Sequence, residues 1–93
     1  MIKSFRDRDT QNLYENERSR KFPKAVCKIV IRKLDYLNSA VKLEDLKAPP
    51  ANRLEELKGK DKGKYSIRVN DQYRLVFKFE EGDAFDMEII DYH

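Results

Sequence analysis

Between Tyr65 and Arg74 apolar and polar residues alternate, with Tyr65, Ile67 and Val69 set against Ser66, Arg68 and Asn70. Such a period of two marks a half-buried strand. Asn70-Asp71-Gln72 reads as a polar turn. A second alternating run follows, with Tyr73, Leu75, Phe77 and Phe79 on one side and Arg74, Val76, Lys78 and Glu80 on the other. The two runs predict a hairpin. Residues facing each other across a ladder share a face, so the simplest register sets Val69 opposite Tyr73 and Arg68 opposite Arg74. Like charges at directly opposed positions are destabilising by a few tenths of a kcal/mol or more. A hairpin kept only for structure has little reason to hold that pair, whereas a surface that binds a polyanion has one. The plainer alternative is that both arginines splay into solvent, or that each has a carboxylate partner.

The remaining pattern fills in around this hairpin. Ile2 to Phe5 reads as a short strand. Asp7 or Asp9 can cap a first helix running to about Lys21, with a thin apolar content of mainly Leu13 and Tyr14. Pro23 suits the first turn of a second helix, in which Val26, Ile29, Val30, Leu34 and Leu37 recur at helical spacing. Val41 to Leu46 adds up to one further turn, and Ala48-Pro49-Pro50-Ala51 reads as an extended linker. Leu54 to Lys58 is a weak strand. After a turn at Glu81-Gly82-Asp83, the residues Phe85, Met87 and Ile89 continue the apolar face. Pairing Phe79 with Phe85 puts Lys78 opposite Asp86 and Arg74 opposite Ile90. Tyr92 then falls on the arginine face, and Asp91 and His93 on the other unless the strand bulges or frays. The expected fold is a single α+β domain over residues 1–93, an N-terminal strand and two helices packed on one face of a mainly antiparallel sheet of four or five strands.

Composition narrows the function. A chain of 93 residues holds one small core. Its charge is uneven: residues 53–78 carry eight basic and four acidic side chains, whereas residues 79–93 carry six acidic and no basic ones. A basic middle points to an anionic partner, nucleic acid first. Four lysines and two glycines, with Asp61 between them, fill the seven positions from Lys58 to Lys64. This stretch is either a solvated hairpin tip or a loop in which Lys60, Lys62 and Lys64 contact phosphates without reading sequence. Its glycines have the wrong spacing for a nucleotide-binding loop. Cys27 is the single cysteine, which excludes an internal disulfide or a cysteine-based metal site. It reads as a small buried hydrophobe. With no signal peptide and no run of apolar residues long enough to span a bilayer, the expected setting is the cytoplasm, away from membranes.

These residues carry a resemblance. The chain resembles the HigB-type toxins, the plasmid-maintenance killer branch of the RelE superfamily of bacterial toxin–antitoxin systems. The opening Met-Ile-Lys-Ser-Phe is typical of that branch. Leu54-Glu55-Glu56-Leu57-Lys58-Gly59 resembles its Leu-His-Pro-Leu-Lys-Gly segment, and Tyr65 to Arg74 resembles its Trp-Ser-Ile-Arg-Val-Asn…Trp-Arg core. The terminal Asp91-Tyr92-His93 is shared as well. The likeness covers essentially the whole chain. It implies a RelE-like microbial RNase fold and ribosome-dependent endonuclease cleavage of mRNA that inhibits translation. It also implies neutralisation by a HigA-like helix-turn-helix antitoxin, through which the pair contacts operator DNA. No cofactor is implied.

Metal-free RNA cleavage must remove the 2′-hydroxyl proton, stabilise the phosphorane and protonate the leaving 5′-oxygen. The resemblance assigns phosphate stabilisation to Arg74 and acid–base work to His93, the one side chain that titrates near neutrality unperturbed. Arg68 assists or grips a neighbouring phosphate, and Lys58 contacts the scissile phosphate or backbone. Tyr92 stacks on a base or donates a hydrogen bond. Asp91 orients His93 or acts as a base, or is a salt partner for Arg74. The chain departs from the family at Glu55, which stands where a histidine is expected and would repel phosphate. Either His93 and Asp91 share the acid–base work, or activity is weak, or the two sequences slip locally. The competing reading is a RelE-fold module that binds antitoxin, operator complex or ribosome without cutting RNA.

Overall fold

The computed structural model describes residues 1–91, with Asp61 described by its backbone alone. Tyr92 and His93, and with them the roles expected of both, lie outside the described residues. Helix α1 spans Arg8–Asn16 and α2 spans Lys24–Ser39; the strands are β1, Glu55–Glu56, β2, Lys64–Arg68, β3, Tyr73–Glu80, and β4, Asp83–Asp91. The strands form one antiparallel sheet in the order β1-β2-β3-β4.

Asp7 is the N-cap of α1, its carboxylate accepting the Thr10 N–H. The helix stops earlier than the expected Lys21. Only Thr10 and Leu13 are buried on it, and Glu17 turns left-handed at φ 60° while its N–H closes onto the Leu13 carbonyl. Beyond Tyr14, which packs half-buried against the core, residues 15–21 hold no apolar side chain to keep a further turn against it. Helix α2 starts after Pro23 and buries Val26, Cys27, Val30, Leu34 and Leu37. Against it the sheet sets Ile67, Leu75, Phe77, Ala84 and Met87, none of them exposed to solvent. The segment expected as an extended linker instead coils. A 3₁₀ turn at Leu43–Lys47, a cis Ala48–Pro49 bond and a second 3₁₀ turn at Pro50–Asn52 fold it over Leu46 and Asn52, which are both buried.

The hairpin register is the expected one, with Arg68 opposite Arg74 and the Val69 N–H bonded to the Tyr73 carbonyl at 3.0 Å. The next register differs. Arg74 faces Ile90 as expected, but Phe79 faces Ala84 rather than Phe85, and Lys78 faces Phe85 rather than Asp86. A bulge intervenes, with Asp86 in the left-handed region at φ 54°. One added residue reverses the side-chain alternation. Ala84 and Met87 therefore fill the core, and Phe85, expected there, turns to the arginine face. The N-terminal segment lies parallel to β4 through bridges at Ile2–Ala84 and Phe5–Met87. At the bulge Ser4 supplies both acceptors, its hydroxyl to the Asp86 N–H and its carbonyl to the Met87 N–H.

Candidate active site on the sheet face opposite the helices

Strand pairing lays three rows of side chains across the face turned away from the helices. Glu55, Ser66, Val76 and Glu88 form one row; Arg68, Arg74 and Ile90 form the next; Lys64, Lys78 and Phe85 form the third. Of the expected site residues, this face gathers Arg74, Arg68, Glu55 and Lys64. Lys58, Lys60 and Lys62 sit exposed on the β1–β2 connection, in and around a 3₁₀ turn at Gly59–Asp61. Asp91 is exposed and lies opposite Tyr73, on the face away from Arg74. Its carboxylate accepts the Gln72 side-chain amide at 3.2 Å.

Arg74 is held rather than solvated. Only 8% of it is exposed. Its Nε donates to the Ser66 hydroxyl at 2.9 Å, and Nη2 donates to the Arg53 carbonyl at 2.7 Å and the Ser66 carbonyl at 3.4 Å. The Glu55 carboxylate stands 3.9 Å from the same Nη2, with more than half of its side chain exposed. Arg68 is paired with Asp71 in the turn. The like-charged pair across the hairpin is thus compensated on each side by different partners, which offsets the cost of the register.

The Arg53 carbonyl reaches Arg74 because Arg53 itself is left-handed, at φ 45°, after the Pro50–Asn52 turn. Asn52 fixes that turn. It is 1% exposed, its amide donates to the Leu46 and Ala48 carbonyls at 3.4 and 3.2 Å, and its oxygen accepts the Lys33 ammonium. Burial, then Arg32 and Arg68, push the Lys33 ammonium below its ordinary value. Ser66, Asn52, Arg53 and Lys33 are absent from the residues expected of the site. Ser66 was within reach of the pattern, because the register that opposes Arg68 and Arg74 puts it on their face. The other three meet only through the folded loop, and no local spacing signals them.

Fixed donors beside a carboxylate suit a reaction in which a hydroxyl loses its proton while an adjacent phosphorus centre gains negative charge. Arginine's planar fork matches two phosphate oxygens. Here its direction is set before substrate arrives, which is the condition for electrostatic stabilisation of a transition state.

Comparison with known proteins gives a consistent family. A family model described as the RelE-like toxin of type II toxin–antitoxin system HigB matches residues 3–93. The chain is 42% identical over 85 residues to a protein named Toxin HigB-1 from Vibrio cholerae, covering 90% of each. It is 30% identical over 93 residues to one named Endoribonuclease HigB from Proteus vulgaris, covering both fully. Among solved structures it resembles the YoeB–YefM toxin–antitoxin complex of Staphylococcus aureus, with a TM-score of 0.64 at 18% identity over 100% of this chain and 98% of that one. It also resembles a YafQ variant from E. coli, with a TM-score of 0.59 at 16% identity, over 98% of this chain and 91% of that one. These two likenesses bear on the fold alone.

Proposed function

Because the chain belongs to the RelE-like HigB toxins of type II toxin–antitoxin systems, we propose that it is an endoribonuclease that cuts mRNA on the ribosome by metal-independent acid–base chemistry. Its family makes it a toxin with an antitoxin partner. That partner is HigA-like, with a helix-turn-helix domain through which the pair reaches operator DNA. No helix among the described residues is long and apolar enough to cross a membrane, and the toxin acts in the cytoplasm, where ribosomes are.

One observation carries the site assignment: the Glu55 carboxylate lies 3.9 Å from Arg74 Nη2 on a common sheet face. Glu55 takes the 2′-hydroxyl proton. The 2′-oxygen then attacks phosphorus, Arg74 stabilises the charge on the phosphorane oxygens, and the bond to the 5′-oxygen breaks. His93 gives the leaving 5′-oxygen its proton. The products are a 2′,3′-cyclic phosphate and a free 5′-hydroxyl. Arg68 grips an adjacent phosphate, Lys58 the scissile one or its neighbour, and Lys60, Lys62 and Lys64 hold the RNA backbone. Tyr92 stacks on a base, and Asp91 serves the terminal histidine.

The same contact supports a second reading. A carboxylate so close to Arg74 offsets the charge that phosphate needs, which favours a module that binds without cutting. Purified protein incubated with mRNA, with and without translating ribosomes, separates the two. Cuts that require ribosomes and leave a 2′,3′-cyclic phosphate and a free 5′-hydroxyl support the proposed function. Cuts on naked RNA alone remove the ribosome from it, and no cuts under any condition leave the binding module.

A further inference from the structure

The bulge in β4 has a chemical consequence. By rotating Phe85 out of the core it places an aromatic ring on the arginine face, directly across from Lys78, which in turn faces Lys64. Among the described residues no ring–ring contact holds Phe85, although other aromatics of the chain are paired, as Phe22 is with Tyr73. The ring is half-buried and lines a shallow cavity of about 250 Å³ with Ser4, Lys78, Glu80 and Asp86. Lys78 stands 3.7 Å from the Asp86 carboxylate, with both side chains nearly half exposed.

We propose that Phe85 is a base-stacking platform for the RNA substrate, a subsite beside the reacting phosphate. The proposal rests on the RNA-cleavage reading and extends the bound strand along the sheet. Arg74 and Lys78 are four residues apart on β3, about 13 Å at the rise of an extended strand, so an RNA with its reacting phosphate at Arg74 reaches Phe85 within a few nucleotides. Charge sorts the parts of the nucleotide. Glu80 and Asp86 border the ring and repel phosphate, whereas Lys64 and Lys78 lie across the row from it and attract phosphate. A strand therefore runs its backbone along the lysines and lays a base on the ring. Stacking on an aromatic face tolerates any base, so this subsite contributes affinity and placement rather than sequence choice.

The chain contains no tryptophan, so Phe85→Trp introduces a single indole reporter. It is titrated with a short RNA oligonucleotide whose reacting 2′-hydroxyl is replaced by hydrogen. Saturable quenching of the indole is expected; emission that does not change on titration overturns the proposal. In cleavage assays Phe85→Leu, which keeps an apolar side chain and removes the ring, raises KM about tenfold with kcat nearly unchanged, and Phe85→Tyr restores the wild-type KM. A Phe85→Leu variant with the wild-type KM overturns the subsite while leaving the cleavage reading in place. A protein whose indole is quenched but which cuts nothing supports the subsite and removes the cleavage reading.

Discussion

Arg68 and Arg74 face each other across the β2–β3 hairpin, yet each is neutralised separately. Arg68 pairs with Asp71 in the turn, while Arg74 is tied to the Ser66 hydroxyl and the Arg53 carbonyl with Glu55 beside it. One guanidinium rests on an exposed turn carboxylate and can exchange it for phosphate. The other is fixed by buried partners and keeps its direction whether or not substrate is present. The division suits the roles proposed for Arg68 as a gripping residue and Arg74 as a stabilising one.

Glu55 is expected to limit the rate. Glu55→Gln keeps the shape and removes the base, and a general base contributes roughly 10²–10⁴-fold, so kcat should fall at least about 100-fold with KM little changed. Glu55→His should retain cutting, with the rising limb of its pH–rate profile moved upward toward the histidine range. Single-turnover rates between about pH 5 and 8 test both. An unchanged kcat in Glu55→Gln would assign the base elsewhere.

Ser66→Ala should misdirect Arg74 without removing it. The hydroxyl is fully buried and accepts Nε at 2.9 Å. Its loss costs about 1 kcal/mol of stability and lowers kcat by about tenfold or more, because small misplacements of a catalytic group are expensive. Denaturant unfolding and cleavage kinetics on the same preparation check the two parts.

The turn after α2 should carry a pH-dependent share of stability. The Asp45 carboxylate accepts the Val41 and Lys42 N–H groups, both at 3.0 Å. Those backbone bonds, the Lys42 one first, hold it below the ordinary aspartate value. A carboxyl depressed in the folded state contributes stability that is fully present above the unfolded value and lost as pH falls through the folded one. Asp45→Ala should therefore melt below wild type near neutrality, and the gap should close in acid below the usual carboxyl range. A gap that stays constant with pH would show that the backbone bonds do not depend on the charge.

The hairpin and its arginine pair were legible because both depend on local alternation and a short turn. So was the shared face of Ser66 with them. The early end of α1 was readable only by weighing that no apolar residue follows Tyr14 before Phe22. The bulge was not legible. The alternation through Phe85, Met87 and Ile89 looks regular, and what breaks it is the N-terminal segment, which fills the bulge with Ser4 from 82 residues away. The Asn52–Arg53 turn was hidden for the same reason, since its bonds to Lys33 and Arg74 join three separate parts of the chain.

The central claim is that Arg74 stabilises the phosphorane of a cleavage reaction on translated mRNA. Arg74→Lys keeps the positive charge and loses the fork. Wild type and this variant would be expressed inducibly in a bacterial host and the ends of cellular mRNA mapped by primer extension, with equal soluble protein confirmed. The account predicts growth arrest with new ends inside translated reading frames for wild type, and at least about a 100-fold loss of cutting in the variant. Equal cutting by a folded Arg74→Lys protein would contradict it.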